Sequence, residues 1–347
     1  MGYKNLKFAT KPGLTEENKK KRYFHAIKTL KGGWKAFIRR VFSDESSVCL
    51  GMIRGKRRAW RLSKEAFHRH VTRLRWKGRM EFMVWGAISW AGKSPLFIWK
   101  KETAAQKKKY DKMIQDWNEE HEEEHKVQWE EETQARRETA LQAIQLATPG
   151  RKKLKGKVPQ WKHTEKTGAM TRKGKGGIDW IRYRYELLEP VFLPYMRSLG
   201  PGFVAQQDNA SPHACNWNRG FFADHNIEEE KWPPNSPDLS PIEPLWGNLK
   251  MKTTAQGVLT KAKAHFKWHE CWLATPNKLI RRYYRRAWNN LKWVVFLRGG
   301  NTYKEGSTPP ENWDHKVDWN LETLETADLP EPVTEDEDED DEEEDEE

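Results

Sequence analysis

Three carboxylates sit where a fold could turn them into a reaction centre. Asp44 ends the β-like run in VFSDES, and Asp208 follows FVAQQ in QQDNASPHA. Glu243 stands early in the helix-like part of SPDLSPIEPLW. Strand ends are where an α/β sheet presents polar groups, and a helix docked across them delivers a third. Carboxylates gathered there repel one another unless a cation offsets them. Hard oxygen donors with no cysteine or histidine among them suit Mg²⁺ or Mn²⁺. Two such ions, roughly 3.5–4 Å apart, activate an attacking water or hydroxyl and stabilise the leaving oxygen of a phosphodiester. Each acid also has a plainer reading. An Asp after a strand serves turns and caps, and Glu243 beside helix-initiating prolines favours the helix dipole. Asp238, in the same loop, reads as a better helix cap than ligand.

The elements around these acids read as a mixed α/β pattern. Thr15 caps a helix expected over 15–30. Strands are expected at 40–52, with Gly51 and Gly55 near the turn, at 80–89 and at 96–99. The stretch from 101 to about 147 is rich in Glu, Lys, Gln and Ala, without Pro or Gly, and reads as a long solvated helix or helical pair. Its apolar positions Met113, Trp117, Trp129, Leu141 and Ile144 are too sparse for a heptad seam. Residues 151–175 carry ten Lys/Arg, one Glu and several Gly, and read as a disordered basic loop. A helix is expected around 178–199, a strand at 203–207, an amphipathic helix over 213–225 and a strand near 228–232. Asp238 or Ser240 caps a helix with Pro241 in its first turn, and 258–298 reads as helical.

Charge narrows the class. The chain has 347 residues, 62 Lys/Arg against 51 acids, and a net charge of +11. Thirteen of those acids are consecutive at 335–347; without them residues 1–334 stand at +24. A body that basic attracts polyanions, above all nucleic acid. No run of 18 apolar residues exists, which excludes a helical membrane span. Cys49, Cys215 and Cys271 are odd in number and far apart, which excludes a disulfide framework and a CxxC zinc site. An intracellular, soluble protein with reduced thiols is expected.

Taken in order, VFSDES, MVWGAIS, QQDNASPHA and WPPNSPDLSPIEPLWGNLK resemble the DDE transposases of the Tc/mariner superfamily. The 34 residues between Asp208 and Glu243 resemble the spacing of the Tc-like branch. The ending IRRYYRRAWNNLKWVVFLRGGNTY is similar to that family's terminal helix and Gly/Tyr tail. The resemblance spans about 11–305, apart from 101–175. It implies a ribonuclease-H-like α/β fold, a mixed sheet flanked by helices. Asp44, Asp208 and Glu243 would be its catalytic metal ligands, holding Mg²⁺ or Mn²⁺ as two ions. Cleavage of DNA at transposon ends followed by strand transfer is the implied reaction. Asn209 and His213 are expected to support the ligands or touch DNA, with a structural role for His213 left open. Trp85, Gly86, Trp232 and Trp246 are expected to pack the fold, and Cys49 and Cys215 to behave as small hydrophobes.

The expected organisation is a basic arm at 1–39, a catalytic domain at 40–305 with the charged helical insertion 101–175, and a disordered acidic tail at 306–347. The family's paired helix-turn-helix modules have no counterpart ahead of Asp44, so a truncated or host-adopted copy is expected. Double-stranded DNA is the expected partner, a homodimer is allowed, and the location is nuclear in a eukaryote. The acidic tail is expected to contact basic proteins or the chain's own basic surface. A different class of function remains open: a non-catalytic DNA- or chromatin-binding protein that kept the fold. Ribonuclease activity on the same fold is a third.

Overall fold

A computed structural model describes residues 11–50, 80–147, 154, 159–172, 177–215, 217–254, 260–314, 317 and 319. They belong to two compact units, one formed by Met1–Trp99 with Arg184–Glu347 and the other by Lys100–Tyr183. The turn expected at Gly51 and Gly55, the first ten residues of the arm and the acidic run 335–347 lie outside the described residues.

The first unit is built on a five-stranded mixed sheet. Its strands are β1 (Arg40–Leu50), β2 (Met80–Ile88), β3 (Phe97–Ile98), β4 (Val204–Gln206) and β5 (Glu228–Glu230), in the order β3-β2-β1-β4-β5. β1 pairs antiparallel with β2, and Asp44 faces Gly86 across that ladder. β1 pairs parallel with β4, and β4 with β5. A short antiparallel partner, β3, closes the other edge. The strands rich in Val, Ile, Phe and Trp fall on the β-like and apolar runs that predict them.

Ahead of the sheet runs α1 (Glu16–Phe37), whose N-cap Thr15 accepts from the Asn18 N–H as expected. In the second unit, residues 101–147 form one helix, α2 (Ala104–Ala147), rather than a pair. Only Tyr110 and Ile114 are buried along it, and its exposed length carries local pairs such as Glu132–Arg136. The loop expected to be disordered is ordered over 159–172. Asn118 clamps it with two bonds to the Met170 backbone, at 2.7 and 2.9 Å. Arg172 bonds Glu102 and Asp179, both at 2.5 Å. Lys and Gly content suggested disorder, but these side chains and Trp161 give the segment partners that composition does not reveal.

The helix expected at 178–199 has three parts. Trp180–Arg182 (α3) is α-helical, Tyr183–Phe192 is π-helical around Pro190, and Leu193–Leu199 (α4) is α-helical again. Pro190 has no N–H to return to the preceding turn, which suits a locally widened helix. The amphipathic helix expected over 213–225 is broken into α5 (Ser211–Ala214) and α6 (Phe221–Asp224). Cys215 turns extended, and Gly220 adopts φ +87° at the start of α6. The C-terminal stretch divides into α7 (Ile242–Thr254), α8 (Lys261–Leu273) and α9 (Asn277–Phe296), with the break at Thr275-Pro276.

Neighbouring residues on β2 face opposite ways. Val84 joins the main core with Phe42, Trp246, Trp268, Trp272 and Tyr284, while Trp85 meets Phe192 at a ring separation of 5.1 Å. The buried positions of α9, among them Ile280, Tyr284, Ala287, Leu291 and Val294, recur at helical spacing. The Tyr and Trp residues interleaved with Arg at 281–293 therefore serve mostly as core. Gly86 is required by close packing: a Cβ there would lie 2.6 Å from the Trp272 ring and 3.1 Å from that of Trp246. Trp85, Gly86 and Trp246 thus pack the fold as expected.

Candidate active site

Asp44 does not end its strand as expected: the ladder with β2 continues to Leu50, so it lies inside the central strand β1, next to Gly86, where the absent side chain lets the indoles of Trp246 and Trp272 approach. The Trp246 Nε1–H donates to Asp44 Oδ2 at 2.9 Å, so Trp246 is more than filler. Glu243 is one turn earlier on α7, the helix that carries Trp246 to Asp44. Asp208 follows β4, and its Oδ1 accepts from the Ala210 N–H at 2.9 Å, a local turn that fixes its side chain. All three carboxylates line one cleft of about 410 Å³, together with Ser43, Gln206, Asn209 and the loop 232–237.

Electrostatics divides the three. Burial, followed by repulsion from Glu243, Glu45 and Asp208, raises the Asp44 carboxyl well above its ordinary range against the pull of Trp246. Burial raises Glu243 as well; Lys250 opposes this, and Asp208 and Glu305 add to it. Burial works on Asp208 in the same direction, but the hydrogen bond and charge of His213 outweigh it and its value is lowered. His213 Nδ1 is 2.7 Å from Asp208 Oδ1, and its Nε2 is 3.5 Å from Glu45 Oε1. Burial disfavours a charged imidazole there, yet these two acids bring His213 up to about 10. The imidazolium offsets part of the negative charge of the cleft. Asp44 has only the Trp246 indole against its rise, and Glu243 only the charge of Lys250.

That imbalance bears on a metal. Among the described residues, no three His, Cys, Asp or Glu side chains already converge to hold an ion. The donor chemistry nevertheless fits a hard divalent cation: three carboxylates on one cleft, two of them with charge suppressed by burial and mutual repulsion. Gln206 adds a buried side-chain oxygen without a hydrogen-bond partner at the same cleft. His213 and the Ala210 N–H both engage Oδ1 of Asp208.

Asp238 is not a helix cap. It lies in the 3₁₀ turn Pro237–Leu239, buried against Arg22, which bonds it through two nitrogens at 2.8 and 2.7 Å. Arg22 also donates to the carbonyls of Asn235 and Gly299, and the Tyr303 hydroxyl bonds the same carboxylate at 2.5 Å. This network ties the loop between Trp232 and Glu243 to both ends of the described chain. The Asn209 side chain donates to the Trp232 carbonyl at 2.9 Å, and Trp232 packs edge-on against Phe42. Glu45 and Arg22 escaped sequence reasoning. Glu45 carried a signal, its place beside Asp44 in SDES, whereas Arg22 carried none.

A family model described as a DDE superfamily endonuclease matches residues 127–263. The Tc1 transposase of Caenorhabditis elegans is 33% identical over 106 residues, covering 29% of this chain and 38% of that protein. The Tc3 transposase of the same organism is 30% identical over 141 residues, covering 38% and 43%. Residues 127–263 are thus similar to a DDE endonuclease domain, and parts of the chain are similar to Tc-type transposases. The chain spans about two-fifths of the length of the curated relatives it matches. Its ribonuclease-H-like fold is shared with the Mos1 transposase paired-end complex with left transposon end, at a TM-score of 0.55 and 14% identity, covering 87% of this chain and 69% of that one. Mos1 paired-end complexes of equal TM-score were solved with Mn and with Mg.

Proposed function

We propose that this DDE domain cleaves double-stranded DNA at transposon ends and joins the freed 3′-hydroxyl to a target, with Asp44, Asp208 and Glu243 as ligands for two Mg²⁺ or Mn²⁺ ions. The observation that carries the reading is the single cleft lined by these acids from β1, the β4 end and α7. Bound there, the ions would activate the attacking water or hydroxyl and stabilise the leaving oxygen. The protein's own groups have separable tasks. The Trp246 indole fixes the orientation of Asp44. His213 holds Asp208 against Glu45 until a ligand competes for it. The Arg22–Asp238–Tyr303 network keeps the loop before Glu243 in place.

The partner in this reading is duplex DNA, in a nuclear setting, with two copies pairing two ends. Lys and Arg of residues 11–40 and 261–298 supply phosphate contacts, which give affinity and a steep salt slope without reading bases. The 100–183 unit is an insertion in the domain, and the acidic run 335–347 competes with DNA for the basic surface as a tethered polyanion. The non-catalytic reading draws on one specific observation, the engagement of Asp208 by His213. A divalent-metal titration with supercoiled plasmid and with RNA separates these readings. Mg²⁺- or Mn²⁺-dependent nicking of plasmid alone supports the proposal, binding without nicking supports the rival, and RNA cleavage contradicts both.

A further inference from the structure

The second unit holds a histidine cluster that the proposed chemistry does not use. His121 and His125 are four residues apart on α2, in the run His-Glu-Glu-Glu-His, so both imidazoles project from one helix face. His163 comes to them from the ordered segment 159–172. Its Nε2 is 3.2 Å from His125 Nδ1, and the His121 and His125 ring centres are 6.2 Å apart. We propose that His125 and His163, joined by His121, form a Zn²⁺ site within the 100–183 unit.

Three features support an ion over a simple hydrogen-bonded pair. The first is the bite. Two imidazole nitrogens at Zn–N distances near 2.0–2.1 Å in a tetrahedral shell lie roughly 3.3 Å apart, close to the separation seen. The second is tautomer. His121 Nδ1 stands 2.9 Å from the Trp117 carbonyl; a carbonyl only accepts, so Nδ1 carries the proton. That leaves Nε2 with its lone pair, the arrangement in which a metal-ligating histidine donates its other nitrogen to a backbone oxygen.

The third is preorganisation. Thr164 and Thr167 close a capping box immediately after His163, and the Asn118 clamp on Met170 pins the far end of the segment. Gly168, at φ +104°, passes so near His125 that a Cβ there would lie 2.8 Å from the ring. Trp161 and Trp117 stack on His163 and His121, limiting ring rotation. The three side chains do not yet converge on a point. His125 and His163 supply the first two nitrogens, His121 lies on the same helix face, and water completes the shell. Imidazole donors without carboxylates favour Zn²⁺ over the hard cations of the acidic cleft.

The test is Zn²⁺ titration by calorimetry of the tag-free full chain carrying Asp44→Asn, Asp208→Asn and Glu243→Gln, in saturating Mg²⁺. One Zn²⁺ per chain at micromolar affinity or tighter is expected. His125→Gln and His163→Gln should each weaken it at least tenfold, and His163→Cys, which restores a zinc donor, should recover it. Co²⁺ in place of Zn²⁺ should show visible absorption bands that disappear in the Gln variants. Absence of stoichiometric Zn²⁺, binding indifferent to His125→Gln and His163→Gln, or a His163→Cys chain no better than His163→Gln would each overturn the site. The Cys variant keeps the result decisive if a Gln variant loses helix by circular dichroism.

Discussion

The acidic cleft and the histidine cluster hold their polar groups by different means. Around Asp44 the chain spends its largest side chains: Trp246, Trp272, Trp268 and Tyr284 are all essentially buried, each worth roughly 1.5–3 kcal/mol or more of apolar burial. The carboxylates are then fixed in a low-dielectric setting that raises two of them. In the 100–183 unit, α2 buries little, and order over 159–172 comes from hydrogen bonds, stacked rings and the Arg172 ion pairs. Deep burial gives a rigid site whose charge is held at a cost. Local pairing gives a site that forms and loosens with its own segment. Stability experiments should therefore divide along this line.

The largest effect is expected at Arg22. Arg22→Met leaves the Asp238 carboxylate buried without its partner, and removing one member of such a pair costs about 3–5 kcal/mol. Thermal unfolding of the full chain should register it, and the Asp238→Asn partner variant closes a double-mutant cycle. The cycle also has a pH signature. Burial alone would raise Asp238, but the Arg22 hydrogen bond and charge lower it below its ordinary value. A carboxyl lowered in the folded state contributes stability above its unfolded value, near 3.9, and loses it as pH falls through the lower folded value. The coupling between Arg22 and Asp238 should be constant from pH 5 to 7 and shrink below about pH 4; a coupling that grows on acidification would contradict the pairing.

A smaller loss is expected from crowding. Gly86→Ala drives a methyl into Trp272 and Trp246, and overpacking of this kind costs about 1–3 kcal/mol. The same variant should disturb the indole that bonds Asp44, so nicking activity falls with stability. An unchanged melting temperature would mean that the two indoles yield easily.

The smallest global effect belongs to Arg172→Met. Its side chain pairs with Glu102, Asp111 and Asp179, and it is ordered within the second unit. Hydrogen exchange should quicken over 159–172 by several-fold while exchange in β1 and β2 stays the same. Equal acceleration in both regions would erase the contrast between them.

How far the sequence revealed this depends on the range of the interactions. Thr15 as a cap, the strands, the place of Asp208 after β4 and that of Glu243 early in α7 were legible because caps, apolar runs and turn residues act over a few positions; Asp44, expected at a strand end, lies inside β1 because the pairing with β2 runs on to Leu50. The Arg22–Asp238 pair joins residues 216 apart in sequence, and nothing local announces it; Asp238 therefore read as a cap. The break at Cys215–Gly220 was hidden by an apolar pattern that suits a helix on average. Composition also misread 159–172, since lysine and glycine content says nothing of where Trp161, His163 and Arg172 find partners.

The central claim is that the three carboxylates work as one metal-dependent centre. It is met most directly by Mn²⁺- and Mg²⁺-dependent nicking of supercoiled plasmid by the wild-type chain and by Asp44→Asn, Asp208→Asn and Glu243→Gln, each checked for DNA affinity and melting temperature. Metal stabilisation of the transferring phosphoryl group is worth several kcal/mol, so each variant should lose about 10³-fold or more in rate while still binding DNA. Nicking that persists in any one of the three variants, or wild-type nicking that survives chelation of the metal, would contradict the account.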